Sequence, residues 1–398
     1  MSIKKTVVCS LLIGSVAFLS PGFANEWSGY VAAEYRYFTQ SALDQQQFNG
    51  GSVSFSAEPE FYHSWNDGDD AFIFSSFFRW DEHDPQRSHV DLRELMWVHA
   101  ERDWELRLGV GKVFWGVTES QHLVDIINQS DTVENIDGED KLGQAMINFS
   151  LIKDWGTMEF FVLPGFRERT FPGKDGRIRS IPELDDHTGY ESSAEDKHID
   201  YAMRWAQTFD DWDIGVSHFY GTSREPRIIP SLTAQGLVLM PYYDIINQTS
   251  LDVQATLDEW LWKFELIHRS GQGETMNALT GGFEYTFVGI NESVVDLGVI
   301  AEYLYDDRGE GLDVLFEDDI FIGARLAMND AASSEILFGV ISDLEENTRF
   351  YSLEASRRIG ASWLLSLEAR FISGVSSNEP LTSLRRDDVI QLELARHF

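Results

Sequence analysis

Apolar and polar residues alternate along many stretches of this chain, and residues 104–114 show the pattern clearly. On one parity lie Trp104, Leu106, Leu108 and Val110, and on the other lie Glu105, Arg107, Gly109 and Gly111. Alternation with a period of two predicts a β-strand whose two faces meet different surroundings. One face is hydrocarbon and the other carries charges, which is typical of a barrel wall between lipid and water.

Related patterns recur along the chain, separated by tight turns or by longer polar loops. The predicted strands are 27–39, 52–65, 71–81, 89–101, 104–114, 142–152, 156–164, 198–208, 211–221, 249–257, 259–270, 276–288, 295–306, 318–329, 333–343, 348–358, 361–372 and 387–398. Because strand ends are poorly defined by such a pattern, we predict 16 to 18 strands. The fold class is therefore all-β, a transmembrane antiparallel β-barrel with an even strand number. Pro59 lacks an N–H donor, so we expect a local bulge in the second strand.

Every second connection is minimal, as at Arg102-Asp103 and Lys153-Asp154, whereas those between are longer, above all 115–141, 165–197 and 222–248. Outer-membrane barrels have short periplasmic turns and long extracellular loops, so both ends of the barrel domain should face the periplasm. A tryptophan follows several short turns, and these residues are Trp104, Trp155, Trp212, Trp260 and Trp363. Tryptophan favours the membrane interface, which supports this orientation.

The chain begins with the features of a secretory signal peptide, which we assign to residues 1–24. Two lysines precede an apolar core at residues 7–19, and Gly22-Phe23-Ala24 resembles a cleavage site. Residues 25–398 then form a single barrel domain without cysteine, because Cys9 is the only cysteine. No later run of 18 apolar residues indicates a transmembrane helix.

The charge balance restricts the partners of this domain. The signal peptide holds two of the 31 basic residues and none of the 66 acidic ones, which leaves a formal net charge of −37. This excess argues against binding to the phosphate backbone of nucleic acids. An acidic exported chain with alternating aromatic strands indicates the outer membrane of a Gram-negative bacterium. We therefore expect outer-membrane lipid, lipopolysaccharide and the barrel assembly machinery as partners.

Several segments resemble a family of porin-like outer-membrane proteins, and the resemblance covers most of the barrel domain. They are Trp115-Gly116, Asp125–Asn128, Trp262–Glu265, Gly282–Phe287 and Asp387-Asp388. The C-terminal Phe398 also resembles the signal that the barrel assembly machinery reads, although Arg396 stands where an apolar residue is usual. The family is similar to alginate-export and phosphate-selective barrels. The resemblance thus implies a diffusion channel, either trimeric or monomeric.

Charged side chains on many strands share a parity opposite to the apolar face, so we predict that they face the lumen. These residues are Arg107, Lys263, Glu265, Glu284, Glu302, Arg325, Glu354, Glu368 and Arg370. A lysine or arginine facing lipid at mid-depth would cost roughly 2–4 kcal/mol. Both signs of charge are present, which fits either a field that sorts solutes or a salt-bridge network that holds the wall.

The long segment after Trp115 is the candidate constriction, a loop that folds into the barrel. Its candidate pore residues are Glu119, His122, Asp125, Asn128 and Asp131. The apolar residues within 123–127 need a wall to pack against, which favours an inward loop over a surface loop. Residues 135–140 have a passing likeness to a calcium loop but lack its spacing, so we predict neither a metal nor a cofactor.

One dense basic cluster lies in the next long loop and comprises Arg167, Arg169, Lys174, Arg177 and Arg179. It could bind lipopolysaccharide phosphate, recruit anionic solutes or pair with the acidic loops. A solvated loop held by internal ion pairs is the simplest interpretation.

Together these features predict a porin-like channel for passive diffusion of small hydrophilic solutes. Residues 119–140 carry seven carboxylates and neither lysine nor arginine, so we expect a weak preference for cations. The alternatives are a channel selective for anions or acidic sugars, a plugged structural barrel and an outer-membrane hydrolase. A hydrolase could use His122, His187, His198 or His218 as its base. The sequence has neither a G-x-S-x-G nor an H-E-x-x-H motif, and we expect no enzyme.

Overall fold

The computed structural model describes residues 25–185, 187–234, 236–309, 314–376 and 380–398, so the predicted signal peptide lies outside the described residues. In chain order the strands are β1 (Asn25–Phe38), β2 (Gly51–Trp65), β3 (Asp70–Asp81), β4 (Val90–Ala100), β5 (Trp104–Gly111), β6 (Gln144–Lys153), β7 (Gly156–Pro164), β8 (Gly189–Tyr190), β9 (Ile199–Phe209), β10 (Trp212–Thr222), β11 (Arg227–Thr233), β12 (Gly236–Tyr243), β13 (Ile245–Leu257), β14 (Trp260–Gly271), β15 (Gly273–Phe287), β16 (Asp296–Asp306), β17 (Asp318–Ala327), β18 (Glu335–Asp343), β19 (Arg349–Ile359), β20 (Trp363–Ser373) and β21 (Val389–His397). Short 3-10 helices occur at Asn66–Gly68, Glu195–Lys197, Ile290–Glu292 and Pro380–Leu384.

Eighteen of these strands form one closed antiparallel barrel, which confirms the predicted fold class. Each barrel strand pairs with the next along the wall, and β1 pairs with both β2 and β21, so the sheet has no free edge. The other three strands, β8, β11 and β12, form a small separate sheet. No helix in the described part of the chain is long and apolar enough to cross a membrane.

The two faces of the barrel wall carry different side chains, as β14 shows. Trp262 is 43% exposed on the outside, whereas its neighbour Lys263 is 5% exposed on the inside. Four of the tryptophans that follow short turns are also exposed, namely Trp155, Trp212, Trp260 and Trp363. A closed barrel pairs the backbone N–H and C=O groups of its strands, so its apolar outer face is stable in lipid. The chain is therefore a transmembrane β-barrel of the outer membrane.

The observed strands differ from the predicted ones mainly at their ends. β5 ends at Gly111 because the chain leaves the wall at Lys112 and enters the barrel. The bulge expected at Pro59 is wrong. Pairing between β2 and β3 is interrupted at Pro59 but resumes in the same register, because a missing N–H removes a bond without adding a residue. A register shift lies instead between β3 and β4, next to Ser75.

This architecture has a direct test in the purified protein. The folded barrel should migrate differently on a gel before and after boiling, and its circular dichroism should be rich in β-structure, because the closed sheet leaves no edge from which to unravel. A helical spectrum, or one mobility at all temperatures, would contradict the barrel.

Candidate functional site

Residues 112–143, which connect β5 and β6, lie inside the barrel, and we call them the inner loop. Asn128 holds the base of this loop and is 1% exposed. Its Oδ1 accepts a hydrogen bond from the Val113 N–H at 2.8 Å, and its Nδ2 donates to the carbonyls of Gly111 at 2.9 Å and Leu142 at 2.8 Å. A buried amide with three bonds fixes the two ends of the loop against each other.

Glu265 of β14 lies in the lumen wall and holds the first part of the inner loop. Its Oε1 accepts hydrogen bonds from the N–H groups of Val117 at 2.7 Å and Thr118 at 3.0 Å, and from the Thr118 hydroxyl at 2.8 Å. The Val124 N–H donates to its Oε2 at 3.2 Å. Since Glu265 is fully buried, these charge-assisted bonds satisfy a carboxylate that water cannot reach.

Glu302 of β16 holds the residues that follow in the same way. Its carboxylate accepts hydrogen bonds from the N–H groups of Glu119 at 2.8 Å and Ser120 at 2.8 Å, and from the Ser120 hydroxyl at 2.6 Å. We call Glu265 and Glu302 the anchor carboxylates. Both were predicted to face the lumen, and both bind loop backbone rather than standing free in it.

The apolar part of the inner loop packs on an apolar area of the lumen wall. Val124, Ile126 and Ile127 are at most 3% exposed. They belong to one cluster with inward-facing side chains of several strands, which include Met146, Phe161, Phe219, Ile246, Ile267 and Met276. Apolar residues on the inner face keep this part of the lumen dry and add hydrophobic burial to the polar anchors.

The acidic side chains of the inner loop pair with cations, most of them on the wall. The pairs are Glu119 with Lys263 at 3.3 Å and with Arg325 at 2.7 Å, Asp125 with Lys141 at 3.0 Å, Asp131 with Arg93 at 2.6 Å, Glu134 with Arg79 at 2.7 Å, and Asp137 with Arg370 at 3.1 Å. Most of the carboxylates that the sequence places in the inner loop are therefore neutralised by a neighbouring lysine or arginine.

The remaining predicted lumen residues lie on the same inner face. Arg325 also approaches Glu284 at 3.6 Å, and Arg370 approaches Glu354 at 2.6 Å. Glu368 accepts a hydrogen bond from Asn135 of the inner loop at 3.1 Å. Arg107 differs, because its Nε pairs with Glu105 of its own strand at 2.6 Å. The salt-bridge network that the sequence left open is therefore present.

A group of inward-facing arginines near the start of the chain was not predicted from the sequence. These residues are Arg36, Arg79, Arg87 and Arg93, three on strands β1, β3 and β4 and one in the 82–89 loop. Glu34 lies within 3.0 Å of Arg36, Arg79 and Arg87. Alternation with the exposed Tyr35 and Tyr37 could have identified Arg36 as inward-facing. Arg87 lies outside any strand, so no periodic signal pointed to it.

The basic cluster is mostly held inside the protein. Arg177 pairs with Asp387 at 2.6 Å, Arg179 with Asp44 at 3.0 Å, and Arg167 with Asp91 at 2.6 Å. Arg169 donates to the carbonyl of Arg224 at 2.8 Å, and Lys174 is exposed. These contacts favour the interpretation of a loop held by internal pairs.

His122 is a charged contact in the middle of the inner loop. Its Nε2 lies 2.8 Å from Glu139 Oε1, and its Nδ1 lies 4.0 Å from Glu265 Oε1. Burial disfavours the charged imidazole, but the two carboxylates outweigh burial and raise the pKa of His122 to about 10. A raised pKa means that the charged pair stabilises the loop fully below about pH 6.5 and is lost as the pH rises through about 10.

We therefore expect the inner loop to loosen in alkali. Limited proteolysis of the micellar protein should cut residues 112–143 faster at pH 10.5 than at pH 7.5. In a His122→Gln variant this pH dependence should be much smaller, because the titrating group is gone. The matched control is His187→Gln, which replaces an exposed histidine outside the inner loop and should keep the pH dependence of wild type. Equal pH dependence in wild type and His122→Gln would contradict the assignment.

The other candidate bases lie apart from one another. His198 Nδ1 lies 2.7 Å from Asp200, His187 Nδ1 lies 3.0 Å from Asp185, and His218 Nδ1 lies 3.0 Å from Thr249 Oγ1. Within the described residues, no group of three or more His, Cys, Asp or Glu side chains is arranged to hold a metal ion.

A closed 18-stranded wall, a charged lumen and a long loop folded into it define an outer-membrane β-barrel whose lumen is narrowed by its own chain. No model of a known protein family matches the sequence, and no curated protein matches it. Among solved structures, the chain is similar to OpdO of Pseudomonas aeruginosa, with 10% identity, 94% of this chain and 96% of that chain covered, and a TM-score of 0.54.

The chain is also similar to Wzi of Escherichia coli, an outer-membrane protein involved in group 1 capsule assembly and described as a carbohydrate-binding β-barrel. The identity is 10%, the match covers 92% of this chain and 83% of that chain, and the TM-score is 0.54. At this identity both likenesses concern the fold.

Proposed function

We propose that the chain is a diffusion channel for small hydrophilic solutes, with residues 112–143 as its constriction and a weak preference for cations. The observation that carries this proposal is the position of the inner loop. It is anchored to β14 and β16 by Glu265 and Glu302 and to β20 by Arg370, so it crosses the lumen. A solute that passes through the barrel must pass beside it.

The proposed cation preference depends on which charges remain exposed beside the loop. Glu139 and Asp140 are exposed on the loop itself. On the facing wall, the side chain of Glu354 is 46% exposed, whereas that of Arg370 is 8% exposed. A passing ion would therefore meet carboxylates more often than guanidinium groups, and exposed carboxylates favour cations.

A closed structural barrel is the second candidate, and the packing of the loop tip favours it. Two cavities of about 30 Å³ each lie beside Asn135 and Ile136, between the loop tip and the wall. Each is large enough for a water molecule or two.

Planar-bilayer recording of the purified protein distinguishes the two candidates. A channel should give reproducible single-channel steps, and in a salt gradient the reversal potential should move toward the cation equilibrium potential. A heat-modifiable, folded protein that inserts without conductance would support the closed barrel instead.

A further inference from the structure

Asp319 and Asp343 face each other at the extracellular end of the wall. They are direct partners between β17 and β18. The Leu344 N–H donates to the Asp318 carbonyl at 3.0 Å, so that neighbouring pair is the hydrogen-bonded one. Asp319 and Asp343 therefore form a non-hydrogen-bonded pair, in which side chains are closest and Cβ atoms lie about 4.5–5.5 Å apart.

This pair lies above an apolar part of the lumen wall. Leu304, Phe321 and Ile341 belong to a buried cluster on the same inner face. Leu304 is the direct partner of Asp319 on β16, and Phe321 and Ile341 lie two positions further into the barrel. Asp319 is 4% exposed, and its Oδ2 has no hydrogen-bond partner among the described residues. A buried carboxylate oxygen beside a second carboxylate and hydrocarbon is stable only if a cation or a shared proton compensates the negative charge.

The surrounding protein does not supply such a cation in the described part of the chain. Arg308, the nearest candidate by sequence, pairs with Asp306 at 2.6 Å. Asp343 accepts the N–H groups of Glu345 at 2.8 Å and Glu346 at 2.7 Å through its Oδ1 alone.

We propose that Asp319 and Asp343 bind a calcium ion that enters from the extracellular side. Calcium takes oxygen ligands at about 2.3–2.6 Å and accepts flexible geometry, which suits two carboxylates on facing strands. The described residues provide no third carboxylate or imidazole in position, so water and backbone carbonyls complete the shell. With so few charged ligands the dissociation constant should be about 10⁻⁴–10⁻³ M, as in extracellular calcium modules.

Calcium binding would stabilise the pairing of β17 with β18 at the mouth of the barrel, because the ion neutralises two carboxylates that otherwise repel each other. Because the ion binds the folded state and not the unfolded chain, calcium should raise the unfolding temperature by mass action. Magnesium should act less, since it demands near-octahedral geometry and gives up water reluctantly.

The experiment uses the full barrel in detergent micelles after removal of divalent ions with EDTA. Isothermal titration with calcium chloride and thermal unfolding with and without calcium are measured for wild type, Asp319→Asn, Asp343→Asn and Asp318→Asn. Asp318 is the matched control because it changes the same charge one residue away, where its side chain accepts a hydrogen bond from Tyr303 at 2.7 Å on the outer face. We expect each site variant to weaken calcium binding at least tenfold and Asp318→Asn to bind like wild type.

Several outcomes would overturn the proposal. Equal calcium binding in wild type and both site variants would assign the binding to the general acidity of the surface. A second contrary outcome is that calcium does not change the unfolding temperature of wild type, whereas a rise in pH lowers it. If Asp319→Asn lacks this pH dependence, a shared proton rather than calcium stabilises the pair. Should one site variant fail to fold, the other variant and the wild-type calcium dependence decide the question.

Discussion

Replacing both anchor carboxylates, as Glu265→Gln and Glu302→Gln, should convert a seated inner loop into a mobile one and raise the single-channel conductance. Each carboxylate accepts three or more hydrogen bonds from the loop. A hydrogen bond to a charged group contributes about 1.5–3 kcal/mol, and a glutamine in its place presents an NH₂ donor to loop donors. A loss of several kcal/mol is enough to move a two-state equilibrium from mostly seated to mostly unseated.

The matched control is Glu105→Gln, a lumen carboxylate that pairs with Arg107 and does not contact the loop. Deletion of residues 119–138 gives the upper limit, because it also removes Val124, Ile126 and Ile127 from the cluster. We expect the conductance to rise in the order wild type, double variant, deletion, with frequent transitions between levels in the double variant. An unchanged conductance in a folded deletion variant would place the permeation path away from the inner loop.

The barrel could be predicted because its determinants are local. A strand between lipid and water must alternate, and that requirement acts on each residue without reference to distant ones. All 18 barrel strands were found for this reason. The pattern failed where both faces meet hydrocarbon. Ile245 and Ile246 open β13 without alternation, because Ile246 faces the buried loop cluster, and the predicted strand began four residues late.

The arrangement inside the lumen could be predicted only in part, because it depends on contacts between distant residues. The parity of Glu265 places it inside, but its partners Val117 and Thr118 lie almost 150 residues away, and no periodicity relates them. One unused signal was present in β14. Ile267 occupies the inward parity between Glu265 and Arg269, and an apolar residue there indicates a dry contact rather than a water-filled lumen. The partner of Ile267 in this contact is the apolar stretch 123–127 of the inner loop.

Burial also changes how the acidic loop should be interpreted. Asp131 is fully buried; burial opposes its charge, but His89, Arg93 and Thr170 lower its pKa to about 2. Asp131 is therefore ionised and compensated, and it cannot act freely on an ion in the lumen. Asp125 is likewise buried beside Lys141. Neutralising either residue would leave a cation without its partner, so a selectivity test belongs at the exposed carboxylates.

In an Asp140→Asn variant measured at pH 8.5 the preference for cations should fall. Asp140 lies on the inner loop, at the place where it crosses the lumen. Burial and the neighbouring carboxylates of Asp137 and Glu134 raise its pKa to about 7, so the side chain is ionised at that pH. A unit charge about 8 Å from an ion in water acts on it with about 0.5 kcal/mol, which is roughly a twofold change in local concentration. This charge attracts cations and repels anions at the same time, so its removal should lower the ratio of cation to anion permeability at least about twofold. Reversal potentials in a salt gradient measure this ratio directly.

The control is Asp154→Asn, which makes the same charge change at the periplasmic turn between β6 and β7, far from the inner loop. Charges separated from the path by more than about 8–10 Å are screened at physiological salt, so this variant should keep the reversal potential of wild type. Raising the salt concentration should reduce the difference between wild type and the loop variant for the same reason. A clear preference for anions in wild type, abolished by replacing Arg167 and Arg169, would make the basic cluster the selectivity element and contradict the role proposed for the inner loop.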